Sequence, residues 1–212
     1  MAKIKTKRER VKFASDNVAG ACPEVLDAIL KANDGDSTPY GNDQISTELQ
    51  DKFSEIFEKE VIVFPTASGT AANALALSTM TPSFGNIYCH KLSHINTDEC
   101  GAPEFYTGGG KLIALQGIDG KITADELDQS IGGKGIVHHT QPSSVSITQV
   151  CETGEVYQID EIKKISDVAH KHNLNMHMDG ARFANALVSL DVTPAEMTWK
   201  AGIDVLSFGA TK

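Results

Sequence analysis

The chain has 212 residues, enough for one domain, or one large domain with an arm, and for a sizeable core. At 41% hydrophobic and 22% charged it has a soluble, globular composition rather than a disordered or fibrous one. A formal net charge of -9 argues against nucleic acid or an anionic membrane surface as a partner, and no apolar run has the length of a membrane span or the character of a signal-peptide core. Cys22, Cys89, Cys100 and Cys151 show no C-x-x-C spacing and read as reduced thiols of an intracellular, cytoplasmic protein.

The first twelve residues are locally basic and read as a solvated terminus. Pro23 to Ala32 is predicted as a helix, with Pro in its first turn and Val25, Leu26, Ile29 and Leu30 at helical spacing. The Gly, Asp, Ser, Pro and Asn between Asn33 and Asp43 predict a surface loop. Ile45 to Phe57 has helical spacing again. Glu60 to Phe64 reads as a buried strand ended by Pro65. Further strands are predicted at Asn86–His90, Lys111–Leu115, Gly135–His139 and Ser144–Gln149, with a capping box at Thr123–Glu126 and an amphipathic helix over Ile159–Lys171. His138 and His139 would then point to opposite faces of a sheet, a poor pair for a metal, and no histidine lies in H-E-x-x-H spacing, so no metal site is predicted. His170 and His172 suit the negative end of their helix. The alternation of strands with helices predicts an α/β fold with a mostly parallel sheet.

Three stretches point to chemistry. Ser68-Gly69-Thr70 opens an Ala-rich helix directly after a strand-like run. Small residues there leave backbone N–H groups free to face an anion, and a helix N-terminus adds about half a positive charge. The same residues also suit an ordinary Ser N-cap. His94 follows a strand end, where an imidazole can stack on a flat heteroaromatic ring or relay a proton. Asn173 to Ala186 reads as a strand, an Asp179-Gly turn and a helix, with Arg182 one turn beyond, and the strand from Ile203 ends on Lys212. In an open α/β sheet, ligands sit beyond the carboxyl ends of the strands. An Asp and a Lys at two such ends suit pyridoxal phosphate, the lysine forming an imine with its aldehyde and the aspartate pairing with its pyridinium nitrogen. A turn aspartate and a terminal lysine without catalytic role remain open on these residues alone.

Taken in order, Phe13-Ala-Ser-Asp-Asn17, Tyr40-Gly-Asn-Asp43, Ser68-Gly-Thr70, Ser93-His94-Ile95, Glu99-Cys-Gly-Ala-Pro-Glu104, His177-Met-Asp-Gly-Ala-Arg182 and Ser207-Phe-Gly-Ala-Thr-Lys212 resemble the threonine aldolases of the β-eliminating-lyase group, a fold-type-I pyridoxal phosphate family. The resemblance implies a large domain with a mostly parallel sheet and helices on both faces. It divides the chain into an N-terminal arm and helix, 1–45, and a cofactor-binding domain, 46–212. It further implies a small C-terminal domain absent from this chain, which in the family supplies another carboxylate-binding arginine; a longer working protein is therefore expected. Lys212 resembles the Schiff-base lysine, Asp179 the partner of the ring nitrogen, and Arg182 the residue that reaches the phenolic oxygen and the substrate carboxylate. Ser68, Gly69 and Thr70 resemble the phosphate cradle. His94 resembles the residue stacked on the ring and is a candidate for proton transfer at the β-hydroxyl, alongside a water or the cofactor phosphate. Ser15 is similar to a serine near the substrate carboxylate, and Tyr40 to a residue serving an adjoining subunit's site. The implied activity is cleavage of threonine or allo-threonine to glycine and acetaldehyde, in a homodimer or homotetramer with shared sites. A β-eliminating lyase or aminotransferase of the same fold, or a non-catalytic fragment, remains open.

Overall fold

Parallel strands need crossover connections, and the helices between the strands of this chain supply them. The computed structural model describes residues 15–211. Lys212 and the basic N-terminal stretch lie outside the described residues. Ser37–Ala210 forms one compact unit, and the stretch before it is grouped with Thr211 in another. In that earlier stretch the Ser15 hydroxyl accepts a hydrogen bond from the Asn17 amide at 3.1 Å. Helix α1 spans Pro23–Ala32, the predicted range, and its Val25, Leu26, Ile29 and Leu30 are all exposed.

The larger unit contains α2 (Gln44–Ile56), α3 (Gly69–Met80), β1 (Gly85–His90), α4 (His94–Thr97), α5 (Ala102–Tyr106), β2 (Lys111–Leu115), α6 (Ala124–Ser130), β3 (Gln141–Thr148), α7 (Ile159–Lys171), β4 (Asn175–Gly180), α8 (Phe183–Leu190), α9 (Pro194–Met197) and β5 (Val205–Phe208). The five strands form one sheet in the order β2-β1-β3-β4-β5, and every neighbouring pair is parallel.

Alternation along the strands sends two kinds of residue to the two faces. Tyr88, Val145, Ile147, Met176 and Met178 join the main core, where Ile162, Ile165 and Ala169 of α7 also lie. On β1, Ile87 and Cys89 point the other way, into a smaller cluster with Leu77 of α3. On that α3 face the central strands are polar: Ser144, Ser146 and Thr148 on β3, and His177 and Asp179 on β4, all buried. Helix α3 can lie close over this face because its buried positions include Ala74 and Ala76. Helix α2 is tied in by rings: Phe53 meets Phe208 edge-on at 5.5 Å and Phe57 lies 6.0 Å from Phe183. The Trp199 indole N–H also donates to the Phe57 carbonyl at 2.7 Å.

Two predicted strands are not strands. Residues 60–64 join no ladder; instead the Gln50 carboxamide accepts from the Val63 N–H at 2.9 Å and donates to the Val63 carbonyl at 2.7 Å, standing in for a neighbouring strand. Ile62 and Phe64 of this run, expected inside, are 77% and 78% exposed. The stretch 135–139 is a turn, so His138 and His139 have no sheet faces to occupy. The Gln141 side chain folds that loop by accepting from the Gly135 amide and donating to the carbonyls of Gly133, Ile136 and His139. The capping box at Thr123 is half formed, because the Glu126 carboxylate binds the amides of Gln116 and Gly117 instead of its own N-cap. His170 and His172 do more than meet a helix end, since each pairs with an aspartate, Asp204 at 3.3 Å and Asp128 at 2.7 Å.

The ends of β4 and β5 approach so closely that only hydrogen fits between them. The Gly209 amide donates to the Gly180 carbonyl at 3.0 Å. A Cβ on Gly209 would meet the Ala181 carbonyl oxygen at 2.6 Å and its Cα at 2.7 Å. Gly209→Ala is therefore expected to destabilise the protein by about 1–3 kcal/mol, the usual cost of overpacking against atoms that cannot give way. A lower urea midpoint with unchanged far-UV circular dichroism before unfolding is the expected result; an unchanged midpoint would count against this packing.

Candidate active site

Asp179 is placed by β4, which carries apolar Met176 and Met178 to one face and so must carry His177 and Asp179 to the other. Its carboxylate is buried and accepts two hydrogen bonds, from the Ala181 amide at 3.0 Å to Oδ1 and from Asn73 Nδ2 at 2.8 Å to Oδ2. Asn73 sits on α3, one turn in from Gly69, and donates its second amide hydrogen to Glu99 Oε1 at 2.8 Å. The same Glu99 oxygen lies 2.9 Å from His94 Nδ1. Four side chains from the starts of α3 and α4, the loop after α4 and the end of β4 are thus joined in a line: Asp179, Asn73, Glu99, His94.

The line runs from closed to open. The Glu99 side chain is fully buried, whereas 44% of the His94 side chain is exposed. Burial pushes the Glu99 carboxyl above its ordinary range, against the opposing pull of the hydrogen bonds from Asn73 and His94. Asn73 Oδ1 and Glu99 Oε2 are buried without a hydrogen-bond partner among the described residues. Glu152 anchors the His94 end, accepting from the His94 amide at 2.7 Å and from the Thr148 hydroxyl at 3.1 Å, and so joins the start of α4 to the end of β3.

Ser68 caps α3, its hydroxyl accepting from the Ala71 amide at 3.2 Å, as an ordinary N-cap would. The turn stays open all the same: Ser68 and Gly69 are exposed, and a Cβ on Gly69 would meet nothing within 4 Å. Arg182 precedes α8 as its N-cap residue, three positions after Asp179, and is half-buried. Tyr40 stands apart from the hydrogen-bonded line, 97% exposed on a turn with φ 64°. Ser15 belongs to the earlier unit.

Asn73, Glu99, Glu152 and His177 carry no role predicted from the sequence. Two of them leave a trace there. Asn73 is a polar residue in a helix of small and apolar ones, and His177 lies two residues before Asp179, hence on its face. His177 is fully buried, with Nδ1 2.8 Å from the Ser146 hydroxyl and Nε2 2.9 Å from the Ser207 hydroxyl, a polar row across β3, β4 and β5.

Among the described residues, the parallel sheet with helices on both faces, the open helix N-terminus and the buried strand-end carboxylate agree with the large-domain fold of the fold-type-I pyridoxal phosphate enzymes. The chain belongs to the beta-eliminating lyase family, whose profile matches residues 12–212. It is 48% identical over 200 residues to the low specificity L-threonine aldolase of Pseudomonas sp. (strain NCIMB 10558), covering 94% of this chain and 58% of that one. Among solved structures it is similar to Leishmania major threonine aldolase, with a TM-score of 0.80 and 28% identity over 86% of this chain and 54% of that one. Cystalysin from Treponema denticola shares the fold, with a TM-score of 0.55 and 17% identity over 77% of this chain and 41% of that one. The chain thus spans a little over half the length of the threonine aldolases it matches.

Burial of His177 lowers its pKa from the ordinary 6.5 to about 4, although the Asp179 charge pulls the other way. The unfolded chain then binds more protons than the folded one between those values, so stability falls as pH drops from 6.5 to about 4. The loss from this residue is expected to be on the order of 3 kcal/mol. His177→Gln should flatten that part of the profile. Urea midpoints measured at intervals down to pH 4 check it, and the same acid dependence in variant and wild type would refute it.

Proposed function

We propose that the protein is a pyridoxal 5′-phosphate-dependent aldehyde-lyase that cleaves L-threonine or L-allo-threonine to glycine and acetaldehyde. The observation that carries this reading is the buried Asp179 carboxylate held by Asn73 one turn inside an open helix N-terminus. Identity to a Pseudomonas threonine aldolase over most of the chain supports it.

The described residues fit the cofactor. Gly69 and Asn73 are one turn apart on α3, so the open turn and the Asp179 carboxylate that Asn73 holds lie at the same end of that helix. The unpartnered Asn73 Oδ1 and Glu99 Oε2 leave the polar network incomplete as it stands.

Pyridoxal phosphate, when bound, supplies an electron sink for the pair released from the Cα–Cβ bond. Ser68, Gly69 and Thr70 would hold its phosphate with hydroxyls and the N–H groups of the first helical turn. Asp179 would keep a proton on the ring nitrogen, its own position fixed by Asn73 and the Ala181 amide. His94 would lie against the ring and take the proton of the substrate β-hydroxyl. Arg182 would bind the phenolic oxygen and the substrate carboxylate; Ser15 is similar to a serine that lies near the substrate carboxylate in the family. Lys212 would carry the cofactor aldehyde, and Tyr40 would serve the site of an adjoining copy.

We further place the protein in the cytoplasm as a homodimer or homotetramer. The exposed apolar side chains of α1 suit an interface between copies. The four cysteines are free, and no helix among the described residues is long and apolar enough to cross a membrane.

Reconstituted with pyridoxal phosphate, the protein is expected to release acetaldehyde from L-threonine without forming keto acid. Asp179→Asn should still bind the cofactor, by its absorbance, yet lose about a hundredfold or more in turnover, about 2.7 kcal/mol of barrier. Near-normal turnover in that variant would rule out Asp179 as the partner of the ring nitrogen. Keto acid in place of acetaldehyde from the wild type would indicate a different reaction on the same fold.

A further inference from the structure

Glu99 is the one member of the hydrogen-bonded line without a role so far. Its side chain is fully buried and its Oε1 carries two contacts, from Asn73 Nδ2 at 2.8 Å and from His94 Nδ1 at 2.9 Å. We propose that Glu99 is a positioning residue that holds His94 in the tautomer protonated on Nδ1, leaving the lone pair on Nε2, and that Asn73 ties this pair to Asp179. The inference rests on the reading of His94 as a group that takes up the substrate's proton.

Donors and acceptors decide the tautomer. A carboxylate oxygen has only lone pairs to offer, so the ring nitrogen that faces it must bring the hydrogen. With the hydrogen on Nε2 instead, the Nδ1 lone pair would face Glu99 Oε1 in a buried site, an unfavourable meeting of two acceptors. Asn73 cannot supply what Glu99 lacks, since both its amide hydrogens are already directed at carboxylates. Burial pushes the Glu99 carboxyl upward, whereas the hydrogen bonds from Asn73 and His94 to Oε1 favour the carboxylate.

The consequence falls on the exposed side of the ring. His94 is anchored through its backbone by Glu152 and through Nδ1 by Glu99, so its position is fixed from two directions. A neutral imidazole in this tautomer presents a proton acceptor at Nε2. An imidazole free to exchange tautomers would present that acceptor only part of the time. Asn73 serves the same arrangement from the other end, by separating two carboxylates that would repel one another if they met directly.

The experiment is nitrogen NMR of protein labelled with ¹⁵N-histidine, recorded without cofactor at a pH where His94 is neutral, with His94 assigned by His94→Gln. Wild type is expected to show a pyrrole-type Nδ1 and a pyridine-type Nε2 for His94. Glu99→Leu should let the two tautomers mix, while Glu99→Gln should restore the single form, because its carbonyl can take the place of Oε1 and Oε2 has no partner to lose. Glu99→Ala replaces Glu99→Leu if the larger side chain does not fold. With cofactor bound, kcat for threonine should fall at least tenfold in Glu99→Leu and recover in Glu99→Gln. A pyridine-type Nδ1 in wild type, or a tautomer indifferent to Glu99→Leu, overturns the proposal. The nitrogen spectra judge the positioning whether or not threonine is cleaved, so a failure of the activity reading is separately visible.

Discussion

Two buried carboxylates, Glu99 and Asp179, face one carboxamide, and the site depends on that arrangement. Asn73 has two hydrogens on one nitrogen, and each is directed at one of the acids. A longer or charged residue in its place would force the acids apart or add a third charge, and an apolar one would take a hydrogen bond from each, leaving Asp179 with the Ala181 amide and Glu99 with His94. The fold meets the need by laying α3 across the polar face of the sheet with small side chains, close enough for a short amide to reach β4. The Ala-rich character of α3 and the chemistry of Asp179 are in this sense one requirement.

The sheet works as a two-sided plate. One face is filled by Tyr88, Val145, Ile147, Met176 and Met178, which pack with α7. The other is a lattice of hydroxyls, imidazole and carboxylate. Polar burial on this scale is tolerated where each group has a partner, as His177 has in Ser146 and Ser207. Rigid strand pairing then fixes functional side chains better than loops would.

Much of this was legible in the residues, and the failures have identifiable causes. Helix α7 and strands β1 and β2 follow their patterns because each pattern is local. Asp179 and the start of α3 were legible as strand-end and helix-start chemistry. The run at 60–64 has the composition of a buried strand, yet what decides strand formation is a partner, and Gln50 takes the partner's bonds. Glu99 and Asn73 could not be ranked from sequence, because their meaning lies in meeting each other across 26 positions and Asp179 across 106. No spacing rule covers such contacts. Tyr40 and Arg182 rest on resemblance, since nothing in their local pattern separates a binding residue from an ordinary turn or helix-start residue.

The Asn73–Asp179 bond also bears on how the molecule comes to be folded. It spans 106 positions, and so closes a loop that takes in four of the five strands. Closing such a loop costs chain entropy before any contact returns it, and parallel pairing delays that return further. Helix α7 and its neighbouring strands can form from contacts nearer in sequence, whereas the polar line across α3 is completed only when both ends of the unit are in place. The polar line is therefore the part of the unit whose closure costs the most chain entropy, and the nearer contacts of the core lower that cost by shortening the loop left to close.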